Sequence, residues 1–146
     1  MIRTVFVLWA ATGIFAAKAQ SSQDIVGLWY NEPKDAKIEV YQAANGPFEG
    51  KVVWLKDSIA PGGGVRLDVN NDDPQLQERP LIGLLIIKKL RWDTDEKRWD
   101  DGQIYDPRSG DTYSSYAELE KPDTLKIRGY LGFSLIGRTT YWTRIK

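Results

Sequence analysis

Histidine and cysteine are absent from this 146-residue chain, and its one methionine is Met1. Without histidine there is no side chain that changes charge near neutral pH, which removes the usual general base and the commonest metal ligand. Without cysteine there is neither a thiol nucleophile nor a disulfide. A Ser-His-Asp triad cannot be assembled, and no Ser-x-x-Lys pattern replaces it. A basic excess is also missing, because 20 Lys and Arg balance 20 Asp and Glu. Setting aside Arg3 and Lys18 leaves a slight acidic surplus, so neither a field for nucleic acid nor a polycationic face for anionic lipid is expected. Glycine at 62–64 is not followed by Gly-Lys-Ser/Thr, so it is no phosphate loop. No metal or cofactor is implied.

Long apolar runs are few. Val5 to Ala17 follows Arg3 and precedes Ala17-Lys18-Ala19, the pattern of a secretory signal peptide cleaved before Gln20. The run is shorter than the roughly 20 residues of a membrane-spanning helix. The reading is therefore a leader over residues 1–19 and one exported domain over residues 20–146, periplasmic or secreted, with no membrane span in the mature protein. That length suits a single core. Leu81 to Ile87 is shorter still and reads as a buried strand or its approach.

What the chain has is aromatic residues, with 6 tryptophans and 7 tyrosines, set in runs of period two. Alternating apolar and polar positions predict strands over 24–30, 36–42, 48–56, 84–92, 99–105, 112–120, 124–130 and 138–145. Asn45-Gly46-Pro47, Asp106 to Gly110 and Pro122-Asp123 are turn formers. Nearly all links are short, which forces antiparallel neighbours. The fold this predicts is all-β: an eight-stranded antiparallel up-and-down barrel, closed so that no edge is exposed. The exception is Asp57 to Pro80 between strands 3 and 4, long enough to be read as a flap across one mouth. Within it, Asp68 to Asp72 imitates the start of a calcium loop. Asp73 stands where the turn glycine belongs and Arg79 where the bidentate glutamate belongs, so an Asx-rich turn is the better reading.

In a barrel so closed, the first strand lies beside the last. Gly27 and Trp29 would then meet Arg144, with the guanidinium stacked on the indole as a structural closure. An eight-stranded lumen either fills with side chains or holds one small ligand. Trp54, Tyr113, Tyr130 and Trp142 are the candidate inward aromatics, with Arg138 or Lys88 as the polar handle. The leading expectation is a small hydrophobic molecule bound in the lumen, without catalysis. The alternatives are a protein-interaction module of the envelope with a solid core, and a hydrolase using carboxylates such as Asp100, Asp101, Asp106, Glu118 or Glu39.

Several strings together resemble the family catalogued as domain of unknown function 2147. They include Asp24-Ile25-Val26-Gly27-x-Trp29, Gly50-Lys51-Val52-Val53-Trp54-Leu55-Lys56 and Asp68-Val69-Asn70-Asn71-x-Asp73-Pro74. Arg79 to Leu84, Ile104-Tyr105-Asp106-Pro107-x-x-Gly110-x-Thr112-Tyr113, Leu125 to Tyr130 and Gly137-Arg138-Thr139-x-x-Trp142-Thr143-Arg144 continue the series. The resemblance implies a small exported bacterial protein with a lipocalin-like β-barrel and no assigned activity. It also implies two cysteines around the second hairpin. Ala43 to Glu49 has none here, so the Asn-Gly-Pro turn must hold register unaided.

Overall fold

The computed structural model describes residues 18–44, 46–133 and 135–146. The leader expected over 1–19 thus lies, apart from Lys18 and Ala19, outside the described residues, as does Asn45 of the second hairpin turn. Eight antiparallel strands close into one barrel in sequence order. They are β1 (Gly27–Tyr30), β2 (Ala36–Gln42), β3 (Phe48–Leu55), β4 (Leu85–Asp93), β5 (Arg98–Asp106), β6 (Asp111–Lys121), β7 (Thr124–Tyr130) and β8 (Gly137–Arg144). β1 meets β8 through Trp29↔Arg144 and Tyr30↔Thr143, and the up-and-down architecture read from the short links is the one observed.

The first strand starts three residues later than its alternation suggests. Ser22–Ile25 winds instead into a 3-10 turn, held by the Ser21 N–H donating to the Asp24 carboxylate at 2.7 Å. This turn plugs one end of the barrel. Ile25 is fully buried there, while the Trp29 and Trp99 indoles donate to the carbonyls of Ile25 (2.9 Å) and Ser22 (3.1 Å). Phe48, Leu90, Leu125 and Trp142 belong to the same buried cluster as the two indoles, so this end of the barrel is filled by side chains.

Five register shifts break the simple alternation, among them three that lie in β3, β4 and β5. Ile38 pairs with Val52 but Lys37 pairs with Trp54, which leaves Val53 extra in β3. Lys89 and Asp101 take left-handed φ values of 65° and 59°, at the register shifts of β4 and β5. Each bulge reverses which residues face inward beyond it.

The long β3–β4 connection is folded onto the barrel. Bridges join Ile59 to Val65 and Leu67 to Pro80, and Pro74–Leu76 is a single 3-10 turn capped by Asp73. Asp68 is 1% exposed and accepts from Arg79 Nε (2.8 Å), Asn71 Nδ2 (2.9 Å) and the Tyr105 hydroxyl (2.6 Å). Asn70 Nδ2 reaches the carbonyls of Pro107 and Arg108, both at 3.1 Å. Gly110 makes that approach feasible. Its φ is +81°, and a Cβ there would sit 1.9 Å from the Asn70 carbonyl oxygen. The segment therefore stands along one side of the mouth, tied to the β5–β6 turn.

Candidate functional site

Because successive connections alternate between the ends, the β1–β2 turn, the long loop, the β5–β6 turn and the β7–β8 turn share the end opposite the 3-10 plug. They rim a cavity of about 840 Å³ that runs into the barrel. Its walls are apolar: Ile38 and Val52 from β2 and β3, Ile86 and Ile104 from β4 and β5, Ile127 and Trp142 from β7 and β8. These residues project inward because each lies in register with another inward residue, as Ile87↔Ile104↔Tyr113 and Leu125↔Trp142 show. Gly129 carries no side chain between Ile104 and Tyr113, and that helps keep the upper lumen open. A solid core throughout, one of the alternatives read from the sequence, is excluded by this space.

Polar groups gather only at the rim. Arg66 is paired with Asp57, and Arg108 with Asp106 at 3.1 Å. Burial alone would raise the Asp106 pKa, but hydrogen bonds from the Arg108 side chain and amide outweigh it, with Arg108 and Arg138 charges adding to the net lowering. Arg138, in register with Gly129, lines the cavity and makes no hydrogen bond or ion pair among the described residues. It is the one arginine of the rim with its guanidinium unclaimed. Glu32 accepts from the Tyr141 amide, and Asp35 from Asn31 Nδ2.

The residues singled out from the sequence divide between the two faces. Tyr113, Arg138 and Trp142 line the cavity. Tyr130 borders it, but its register with Ser114 places it in the outward row, where its ring lies 6.4 Å from that of Tyr116. Trp54 is on the outside. The Val53 bulge turns Leu55 inward in its place and leaves Trp54 36% exposed, edge-on to Tyr30 at 6.3 Å with Lys37 Nζ above both rings. Lys88 is likewise outside and exposed, paired with Gln103, because its neighbour Ile87 takes the inward position. Neither can touch a lumen ligand. The apolar walls themselves were not singled out, since Ile38, Val52 and Ile127 carry no signal beyond alternation.

At the plugged end, the Arg144 guanidinium carbon lies 4.2 Å from the centre of the Trp29 ring. Its nitrogens donate to the carbonyls of Pro122 (2.8 Å), Val26 (3.0 Å) and Asp24. Gly27, at φ +142°, leaves the space that a Cβ would take 2.9 Å from Arg144 Nη1. Desolvation holds the Arg144 pKa below its ordinary value, with Asp24 and Asp123 acting against that shift. These three residues are remote from the cavity.

Of the carboxylates considered for hydrolysis, Asp101 is exposed and the others are engaged. Glu39 pairs with Lys51, Asp100 with Arg98, and Glu118 with Lys126. In the Asx-rich turn, Asp68 is fully committed, Asn71 Oδ1 accepts from the Asp73 amide and Asp73 Oδ1 from the Gln75 amide. Among the described residues no helix is long and apolar enough to cross a membrane.

Comparison with known proteins agrees with this architecture. A solved structure from Helicobacter pylori, described as protein HP1028 belonging to the lipocalin family, aligns over 84% of this chain and 83% of its own. The TM-score is 0.70 at 19% sequence identity, a likeness of fold. No curated protein sequence matches. Residues 27–144 match the profile of a family described as uncharacterized protein conserved in bacteria (DUF2147). With the strands from Gly27 to Arg144 all inside that match, the chain belongs to the DUF2147 family.

Proposed function

We propose that the protein binds a small, predominantly apolar molecule bearing an acidic group in its lumen, without catalysis, after export from the cell. The observation that carries this reading is the cavity itself: aliphatic walls and Trp142 below, and the unpaired Arg138 at the rim. Its size falls within the 300–1,000 Å³ usual for small-molecule sites. An acyl chain or similar body gains about 0.8 kcal/mol per buried CH₂, and Arg138 orients the charged end toward solvent. The lipocalin-like likeness supports a binding role in general terms. Glu39, Asp100 and Glu118 are held in ion pairs outside the lumen and Asp106 at its rim is paired with Arg108, which favours binding over hydrolysis.

The test is titration with a homologous series of saturated fatty acids, read by tryptophan fluorescence, with Trp142→Phe to assign the signal. Affinity should rise with chain length by roughly fourfold per CH₂ until the lumen is full. A signal that never saturates, or that survives Trp142→Phe while Trp54→Phe abolishes it, would move binding off the lumen. Intact mass of the protein recovered outside the cytoplasm checks the leader, which should be missing through Ala19.

A further inference from the structure

Two stretches at the mouth carry no charge, Ser58 to Val65 and Leu131 to Gly137, in a chain that is 27% charged overall. They stand on either side of the lumen, since Asp57 and Arg66 at the base of one and Leu131 and Ile136 of the other line the same cavity. The β7–β8 turn raises Leu131, Phe133, Leu135 and Ile136 into solvent, at 62%, 69%, 88% and 62% exposure. Ile59 and Val65, bridged to each other, are exposed on the other tip. The plugged end differs. Its Asp93 to Lys97 turn is dominated by charge, and Ala43 to Pro47 holds no large apolar side chain.

Large apolar groups clustered in solvent mark an interaction surface. Part of the β7–β8 turn is paired internally: Leu131 N–H donates to the Ile136 carbonyl (3.2 Å), Phe133 to Leu131 (2.9 Å) and Ile136 to Phe133 (3.1 Å). Each such bond lowers the cost of moving backbone toward hydrocarbon, where no water can replace a missing partner. A protein interface needs about 800 Å² per partner with a polar rim. Neither stretch carries a charged side chain that could contribute to such a rim. We propose that they seat the barrel mouth-down on a lipid bilayer, with Phe133 and Leu135 in the interface and Arg138 at the level of the lipid phosphates. Insertion of this kind reaches about 5–10 Å. Because Leu131 and Ile136 also line the lumen, an apolar strip runs from bilayer to cavity beside the charged groups of the rim.

Sedimentation with phosphatidylcholine vesicles tests this, using protein purified from cells expressing the full chain and processed by them. Wild type should sediment with the vesicles. The Phe133→Ser/Leu135→Ser variant should bind at least about tenfold more weakly, with unchanged near-ultraviolet circular dichroism. Leu28→Ser, on the outer wall, should bind like wild type. Wild type left in the supernatant, or a tip variant that binds equally well, overturns the proposal. So does a wild-type dimer that the tip substitutions dissociate, because a second copy would then be the occupant. No lumen ligand enters the measurement, so membrane docking stands or falls separately from the binding reading.

Discussion

Tyr105 donates its hydroxyl hydrogen to Asp68 at 2.6 Å across 37 positions of sequence, joining the long loop to the barrel wall. The Arg79 guanidinium, itself bonded to Asp68, lies 5.6 Å from the centre of the Tyr105 ring. The barrel would stand without this cluster, but the loop beside the mouth would not keep its place. The carboxylate is buried and has three donors, so removing them selectively should loosen the loop and leave the barrel intact.

Tyr105→Phe deletes one of those donors and should cost about 1–2 kcal/mol, and Asp68→Ala, which strands Arg79 and Tyr105 together, about 2–3 kcal/mol. Hydrogen exchange should show faster exchange at Asp68 and Leu81, whose amides donate to Arg79 and Arg66 carbonyls, with little change in β6 and β7. Equal loss of protection throughout would mean that the loop and barrel unfold as one unit.

The same hydroxyl sets a limit at alkaline pH. Desolvation first, and then the bond to Asp68, raise the Tyr105 pKa above its ordinary 10.0. The neutral phenol is thus favoured in the folded state. Its contribution is complete below pH 10.0 and is lost as pH rises through the higher folded value. An ultraviolet titration should show a late-ionising component, shared with Tyr41, that Tyr105→Phe diminishes, and the alkaline loss of stability should shrink in that variant.

Closure of the barrel depends on Arg144, which covers Trp29 and serves three backbone carbonyls at once. Arg144→Ala should destabilise by about 2–3 kcal/mol, through the lost cation–π contact and carbonyls left without a charged donor. Gly27→Ala should cost about 1–2 kcal/mol, since alanine must adopt a φ that only glycine takes easily. Urea unfolding midpoints measure both. The two changes should be less than additive, because the alanine Cβ acts by displacing the same guanidinium.

How far the sequence speaks depends on which step of the inference a residue needs. Closure needs only strand order: with eight strands and short links, Trp29 and Arg144 become neighbours whatever happens between them. Facing needs unbroken alternation, and it fails at each bulge. Gly50, Val52 and Trp54 read as one face, yet the extra residue Val53 puts Trp54 outside with Lys37. Lys88 sits one position before the Lys89 bulge in a strand where both Ile86 and Ile87 are buried, so period two cannot assign its side. Tyr130 ends its strand beside Gly137, outward by register though at the lumen's edge. The Leu131 to Ile136 turn shows a further limit. Apolar composition ordinarily signals burial, and only three-dimensional placement reveals side chains left in water.

Arg138 supplies the sharpest test of the lumen, because its charge and its position are separable. The guanidinium is exposed at the rim, so pairing with a ligand carboxylate is screened and worth at most about 1 kcal/mol, a preference of roughly fivefold. Wild type should therefore favour a fatty acid over the alcohol of equal length by up to about fivefold, and the preference should fade at high salt. Arg138→Gln should bind acid and alcohol alike while keeping the affinity for the alcohol, since the aliphatic walls are untouched. Thr140→Trp, which fills space beside Ile127, should weaken both equally. Calorimetric titration of the two ligands against the three proteins separates the outcomes. If Arg138→Gln weakens acid and alcohol to the same extent, the rim arginine shapes the mouth and does not recognise charge.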